Sequence, residues 1–119
     1  KTVCQNNKKR QTATRIWFVL DYIQKHYTEK ISIEDLANLV HLSISRFRTV
    51  FKKTTGISPT TYIINMRLAL ARELLICCSD SINSIAERCA FNSQSYMVRL
   101  FKQHFGMSPS EYRKKFKST

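Results

Sequence analysis

The sequence predicts an all-α fold of seven helices, built by duplicating one helical unit, and three observations carry that prediction. The first is where the chain breakers fall. The chain has 119 residues with only two glycines and two prolines. All four sit in one stretch written twice, Phe51 to Tyr62 with Gly56, Ser58 and Pro59, and Phe101 to Tyr112 with Gly106, Ser108 and Pro109. Glycine closes a helix in the left-handed conformation, and the apolar residue after it, Ile57 or Met107, packs back on the last turn. Serine then caps the next helix, and proline takes its first position, where a missing N–H costs nothing. The second observation is periodicity: apolar residues recur at helical spacing, and each short strand-like run, such as Trp17 to Leu20, lies inside a longer 3.6-residue pattern. The third is register. At an offset of 50, Ser43, Ser45, Phe51, Lys52, Gly56, Ser58, Pro59 and Tyr62 meet the same residue types again. Upstream, Ala37 meets Ala86 at an offset of 49, which makes the second turn one residue longer.

Taken in order, residues 1–12 (Lys1, Lys8, Lys9 and Arg10 among Gln, Asn and Thr) read as a flexible basic arm or linker. A first helix is expected over about 13–27, turning Ile16, Val19, Leu20, Ile23 and Tyr27 inward, with Trp17 and Phe18 off that stripe. Ser32 caps a second, short helix with Glu34 and Asp35 in its first turn, where the helix dipole favours acids. Its expected buried side is Leu36, Leu39 and Val40, with Ala37 small enough for a close crossing. After the turn at His41-Leu42, Ser43 caps a third helix that buries Phe47, Val50 and Phe51. Its opposite face shows Ser45, Arg46, Arg48, Thr49 and Lys52. A short helix, a tight turn and a second helix with a polar, basic outer face is the helix-turn-helix pattern. The fourth helix runs without a breaker from Pro59 to about Cys77, roughly 30 Å at 1.5 Å per residue. Ser79-Asp80-Ser81 end it and cap the fifth, over about 82–89. The sixth, over about 93–105, and the seventh, over about 109–116 with Glu111 completing a capping box on Ser108, repeat the design. A first helix-turn-helix subdomain over 13–58, a connector over 59–78 and a second subdomain over 79–119, ending in the basic tail Arg113, Lys114, Lys115 and Lys117, follow from these boundaries.

Charge points to the partner. The net charge is +12, and its placement is uneven. No acid occurs from Leu36 to Arg72, where Arg46, Arg48, Lys52, Lys53, Arg67 and Arg72 all lie, nor from Arg88 to Ser110, which holds Arg99 and Lys102. A solvated face mixes signs, whereas a phosphate-facing one excludes acids, so nucleic acid leads the candidate partners. An anionic membrane is the alternative, but no helix has the one-sided basic face it requires, and no apolar run approaches the ~18 residues of a span. Cys77 and Cys78 are adjacent, Cys4 and Cys89 lie apart from them, and His26, His41 and His104 are scattered, so neither a disulfide framework nor a metal site is expected. The thiols suit a reducing cytoplasm. No Ser/His/Asp set, carboxylate pair or phosphate loop suggests an enzyme, and no cofactor is expected. A module holding a protein or RNA is the remaining alternative, although RNA readers normally expose aromatics on a sheet or loop. The sequence opens on Lys1 rather than Met, which suggests a start inside a longer protein or after processing.

From about residue 15 to residue 116 the chain resembles the DNA-binding region of AraC/XylS-type transcription regulators. The resemblance rests on Ile85-Ala86 through Phe91, Ser93-Gln94-Ser95-Tyr96, Arg99-Leu100-Phe101-Lys102, and Gly106-Met107-Ser108-Pro109 with Tyr112. It implies a bacterial, cytoplasmic, nucleoid-associated activator that binds double-stranded DNA with two helix-turn-helix subdomains joined by a rigid fourth helix. The third and sixth helices would enter successive major-groove segments, and a connector of about 30 Å nearly matches the ~34 Å between such segments. Carried onto this sequence, the base-reading positions are Ser45, Arg46, Arg48 and Thr49, and Gln94, Ser95, Val98 and Arg99. Arginine takes guanine O6 and N7 bidentately, glutamine pairs adenine, and valine methyls meet a thymine methyl. Expected phosphate contacts are Ser43, Lys52, Lys53, Ser93 and Lys102, with the backbone N–H groups that open the two helices. The resemblance also implies RNA polymerase as a partner, a monomeric DNA-binding region, and in the full-length protein an effector-binding or dimerising domain that this chain lacks. Two departures stand out. Ala90 replaces the glycine that many relatives carry before the aromatic of the second turn, and Ser45 stands where some relatives place tryptophan.

Overall fold

The computed structural model describes residues 2–117, and side chains from residue 14 onward. Its helices are α1 (Thr2–His26), α2 (Ile33–Leu39), α3 (Ile44–Thr55), α4 (Pro59–Cys77), α5 (Ile82–Arg88), α6 (Gln94–Phe105) and α7 (Pro109–Phe116). Among the described residues there is no strand. The chain divides into two compact units, one of residues 1–26 and 30–63, the other of residues 27–29 and 64–119.

In the first unit, α3 packs against α1 and α2. Ile16, Val19 and Ile23 of α1, Leu36, Ala37 and Val40 around α2, and Phe47, Val50 and Phe51 of α3 are buried. Trp17 and Phe18 are exposed, as their place off the α1 stripe requires. Two expectations need correction. The α1 helix begins at Thr2 rather than near residue 13, so residues 2–12 of the stretch read as a basic arm or linker lie within the helix, and Lys1 lies outside the described residues. That stretch holds no Gly or Pro, and its Lys, Arg and Gln are good helix formers. Leu39, expected inside, is 37% exposed, whereas Ala37 is buried. At 100° per residue, Leu36, Val40 and Ala37 share one arc, and Leu39 falls about 60° outside it.

In the second unit, α6 packs against α5 and α7. The core gathers Leu68, Ala71 and Leu75 of α4 with Ile85, Ala86, Cys89, Phe91, Met97 and Phe101. The sequence repeat becomes a structural one here. Phe51 meets Tyr62 edge-on at 5.7 Å and Phe101 meets Tyr112 edge-on at 5.6 Å, both pairs at 78°. From 51 to 60 and from 101 to 110 the order of buried, half-buried and exposed positions is identical. Gly56 and Gly106 hold φ of 88° and 81°, each donating its N–H back to Lys52 or Lys102. A Cβ at either glycine would meet nothing within 4 Å, so glycine is needed there for φ and not for space.

The turns before α3 and α6 are built alike. Leu42 N–H reaches Ala37 O and His41 N–H reaches Asn38 O; Phe91 N–H reaches Ala86 O and Ala90 N–H reaches Glu87 O. This is the Schellman pattern, with its left-handed residue supplied by His41 at φ 58° and Ala90 at φ 63°. Ala90 therefore sits where an L-residue is strained by about 1 kcal/mol.

Candidate nucleic-acid interface

The outer faces of α3 and α6 are fixed at both ends before any side chain is considered. Ser43 Oγ accepts from Arg46 N–H at 3.1 Å, and Ser93 Oγ accepts from Tyr96 N–H at 3.1 Å. In each helix the two N–H groups before the capped one have no intrahelical acceptor, and the helix dipole favours an anion there. Each serine hydroxyl keeps its own proton for a further acceptor.

On α3, burial of Phe47, Val50 and Phe51 turns Ser45, Arg46, Arg48, Thr49, Lys52 and Lys53 to solvent. Thr49 Oγ1 donates to Ser45 O at 3.1 Å. Among the described residues, the guanidinium groups of Arg46 and Arg48 have no hydrogen-bond, ion-pair or ring partner. On α6, Gln94, Ser95, Arg99 and Lys102 are exposed, while Val98 is half-buried. Arg99 differs from its α3 counterparts, because its Cζ lies 5.3 Å from the centroid of the Tyr96 ring. The spacing of three residues on one helix allows that contact and was readable in the sequence.

Several cations counted toward a basic surface serve the scaffold instead. Arg67 donates to Tyr27 O at 2.7 Å and Glu29 O at 2.9 Å, and burial pushes its pKa down. Arg113 donates to Leu75 O, Cys78 O and Asp80 O, and Lys117 Nζ to Cys78 O and Ser79 Oγ. These two residues of the expected basic tail thus satisfy carbonyls at the C-terminus of α4. Arg72 lies over Phe105 at 5.1 Å, and Arg88 pairs with Asp80 at 2.8 Å. Charge alone could not separate these from Arg48 or Lys52, since each role shows only in what the side chain reaches.

Cys89 is buried, and that burial raises its thiol to about 11, which keeps it protonated at neutral pH. Among the described residues no helix is long and apolar enough to cross a membrane.

Two capped, acid-free outer faces on two helix-turn-helix units define a DNA-binding domain of the double helix-turn-helix class. A helix-turn-helix domain model matches residues 36–115. The "Probable transcriptional regulator LumQ" of Photobacterium leiognathi is 36% identical over 93 residues, covering 78% of this chain and 38% of that protein. The transcriptional activator RhaS of Enterobacter sp. (strain 638) is 32% identical over 109 residues, covering 92% of this chain and 37% of that one. The crystal structure of the AdpA DNA-binding domain in complex with a target DNA matches with a TM-score of 0.81 at 29% identity, covering 85% of this chain and 91% of that one. The chain belongs to the AraC-type helix-turn-helix family of transcriptional regulators and is a DNA-binding domain of that family. It spans less than two fifths of the length of the curated relatives named here.

Proposed function

We propose that the domain reads two successive major-groove segments, one with α3 and the other with α6. The observation that carries this reading is that both helices have the same capped start, the same glycine stop and the same buried aromatic, yet expose different polar side chains. Base readout falls to Ser45, Arg46, Arg48 and Thr49 on α3 and to Gln94, Ser95, Val98 and Arg99 on α6. Half-burial of Val98 leaves part of its side chain for a thymine methyl. Ser43, Ser93, Lys52, Lys53 and Lys102, with the free N–H groups opening each helix, take phosphates and set the register.

The domain works on the duplex without chemistry of its own, as a monomer within a longer cytoplasmic, nucleoid-associated protein. That protein activates transcription by positioning RNA polymerase, as the activator RhaS among its relatives suggests. The test is binding to duplexes selected from random sequence, then re-measured with either half of the selected site scrambled. An asymmetric site with two unlike elements about one helical turn apart, filled by one chain, is the expected result. Sites that are palindromic and bind only dimers would overturn the two-helix reading.

A further inference from the structure

Tyr96 lies on α6 among the groups proposed to read bases, yet its hydroxyl has no assigned role in that reading. We propose that Tyr96 is a positioning residue, whose ring sets the guanidinium of Arg99 in a reading orientation before DNA arrives. This rests on α6 being a groove-facing helix and adds a residue to that reading.

Helical side chains lean toward the N-terminus, so Arg99 extends back over the residue three positions earlier. There its Cζ meets the Tyr96 ring at 5.3 Å, within the range of a cation–π contact. The ring is itself held. Tyr96 is half-buried against the second core and meets Phe91 at 6.2 Å with the planes 67° apart. Phe91 is 8% exposed, and its N–H is spent on Ala86 O at 2.9 Å. The support thus runs from the strained turn at Ala90 through Phe91 and Tyr96 to the guanidinium. Arginine is rich in rotamers, and bidentate recognition of guanine needs the plane of the fork fixed. A ring that orders the fork in the free protein lowers the cost of ordering it on DNA. At the repeat offset, α3 has Arg46 in place of Tyr96 and Thr49 in place of Arg99, so the device belongs to one helix alone.

The experiment uses the 119-residue chain and a duplex selected from random sequence, with single base-pair changes through the site. Arg99→Ala identifies the base pairs whose discrimination depends on that side chain. At those base pairs Tyr96→Leu should lower discrimination about two- to fivefold, the worth of an exposed cation–π contact. Tyr96→Phe, which keeps the ring, should restore it, and Tyr96→Leu should have no further effect there once Arg99 is alanine. Equal losses from Tyr96→Leu with and without Arg99, or a Tyr96→Phe variant as poor as Tyr96→Leu, would overturn the positioning role while leaving α6 as a reader. Discrimination unchanged in Arg99→Ala would remove Arg99 from the reading surface, and the proposal with it. A measurement on the unaltered free protein needs no variant to fold. The Arg99 δ-methylene protons should be shifted upfield by the ring current, and random-coil shifts there would also overturn the proposal.

Discussion

The helices α3 and α6 share a length of 12 residues, a serine start, a left-handed glycine stop and a buried phenylalanine on an edge-on tyrosine. They part at the outer face. The α3 arginines stand in solvent without a partner among the described residues, whereas Arg99 on α6 rests on a ring that is wedged against the core. The helix ends differ more quietly. After the first glycine, Ser58 bonds the hydroxyl of Thr61; after the second, Ser108 and Glu111 close a full capping box. The lesson is that duplication held the packing and the caps to a narrow range while the solvent-facing positions drifted, because only the former carry the energy of folding.

The strongest test of that equivalence is to cut the same hole in both halves. Phe51 and Phe101 are each fully buried, so either alanine substitution should cost about 3–5 kcal/mol by denaturant unfolding. A large gap between the two would break the claim of matched scaffolds. Next come the outer faces. Arg48→Ala should relax preference within one half of the DNA site and Arg99→Ala within the other, each by about 1–3 kcal/mol on the best sequence. Loss at the same base pairs from both would collapse the comparison. Gly106→Val and Gly56→Val should each cost at least about 1 kcal/mol, because the open space around both glycines leaves only φ to resist the change. An unchanged melting temperature would refute the left-handed stop.

A smaller effect separates the two turns. Ala90→Gly should stabilise by at most about 0.5 kcal/mol, the relief of left-handed strain less the entropy of glycine. His41→Gly should gain less, since histidine tolerates that region better than alanine. The least expected change concerns acid. Hydrogen bonds from the backbone and side chain of Ser108 hold the Glu111 carboxyl below its usual range. Its contribution is therefore present above the unfolded carboxyl value of about 4.3 and lost as pH falls through the lower folded one. Glu111→Thr, which installs the first copy's residue, should remove this acid-dependent part from a melting series between pH 5 and pH 3. An identical pH profile in the variant would show that the box does not titrate with folding.

Most of the fold was legible because the sequence concentrates its signals at helix ends: serines, glycines and prolines each have one cheap place to go. Leu39 escaped because its apolar side chain alone placed it inside, although it lies outside the arc shared by Leu36, Ala37 and Val40. The candidate surface was legible as the complement of the buried face on α3 and α6. What the sequence could not show was which cations are spoken for. Arg67, Arg113 and Lys117 close on backbone carbonyls 33 or more residues away in the chain, and no local pattern announces a contact of that range.

The matched ends of α3 and α6 also make each helix a replaceable cassette. Between Ser43 and Gly56, and between Ser93 and Gly106, the chain enters and leaves through the same hydrogen bonds. The residues that vary between those fixed points lie mostly in solvent. A new specificity can therefore be written into one helix without renegotiating its anchorage, and one half of a binding site can be altered while the other is kept.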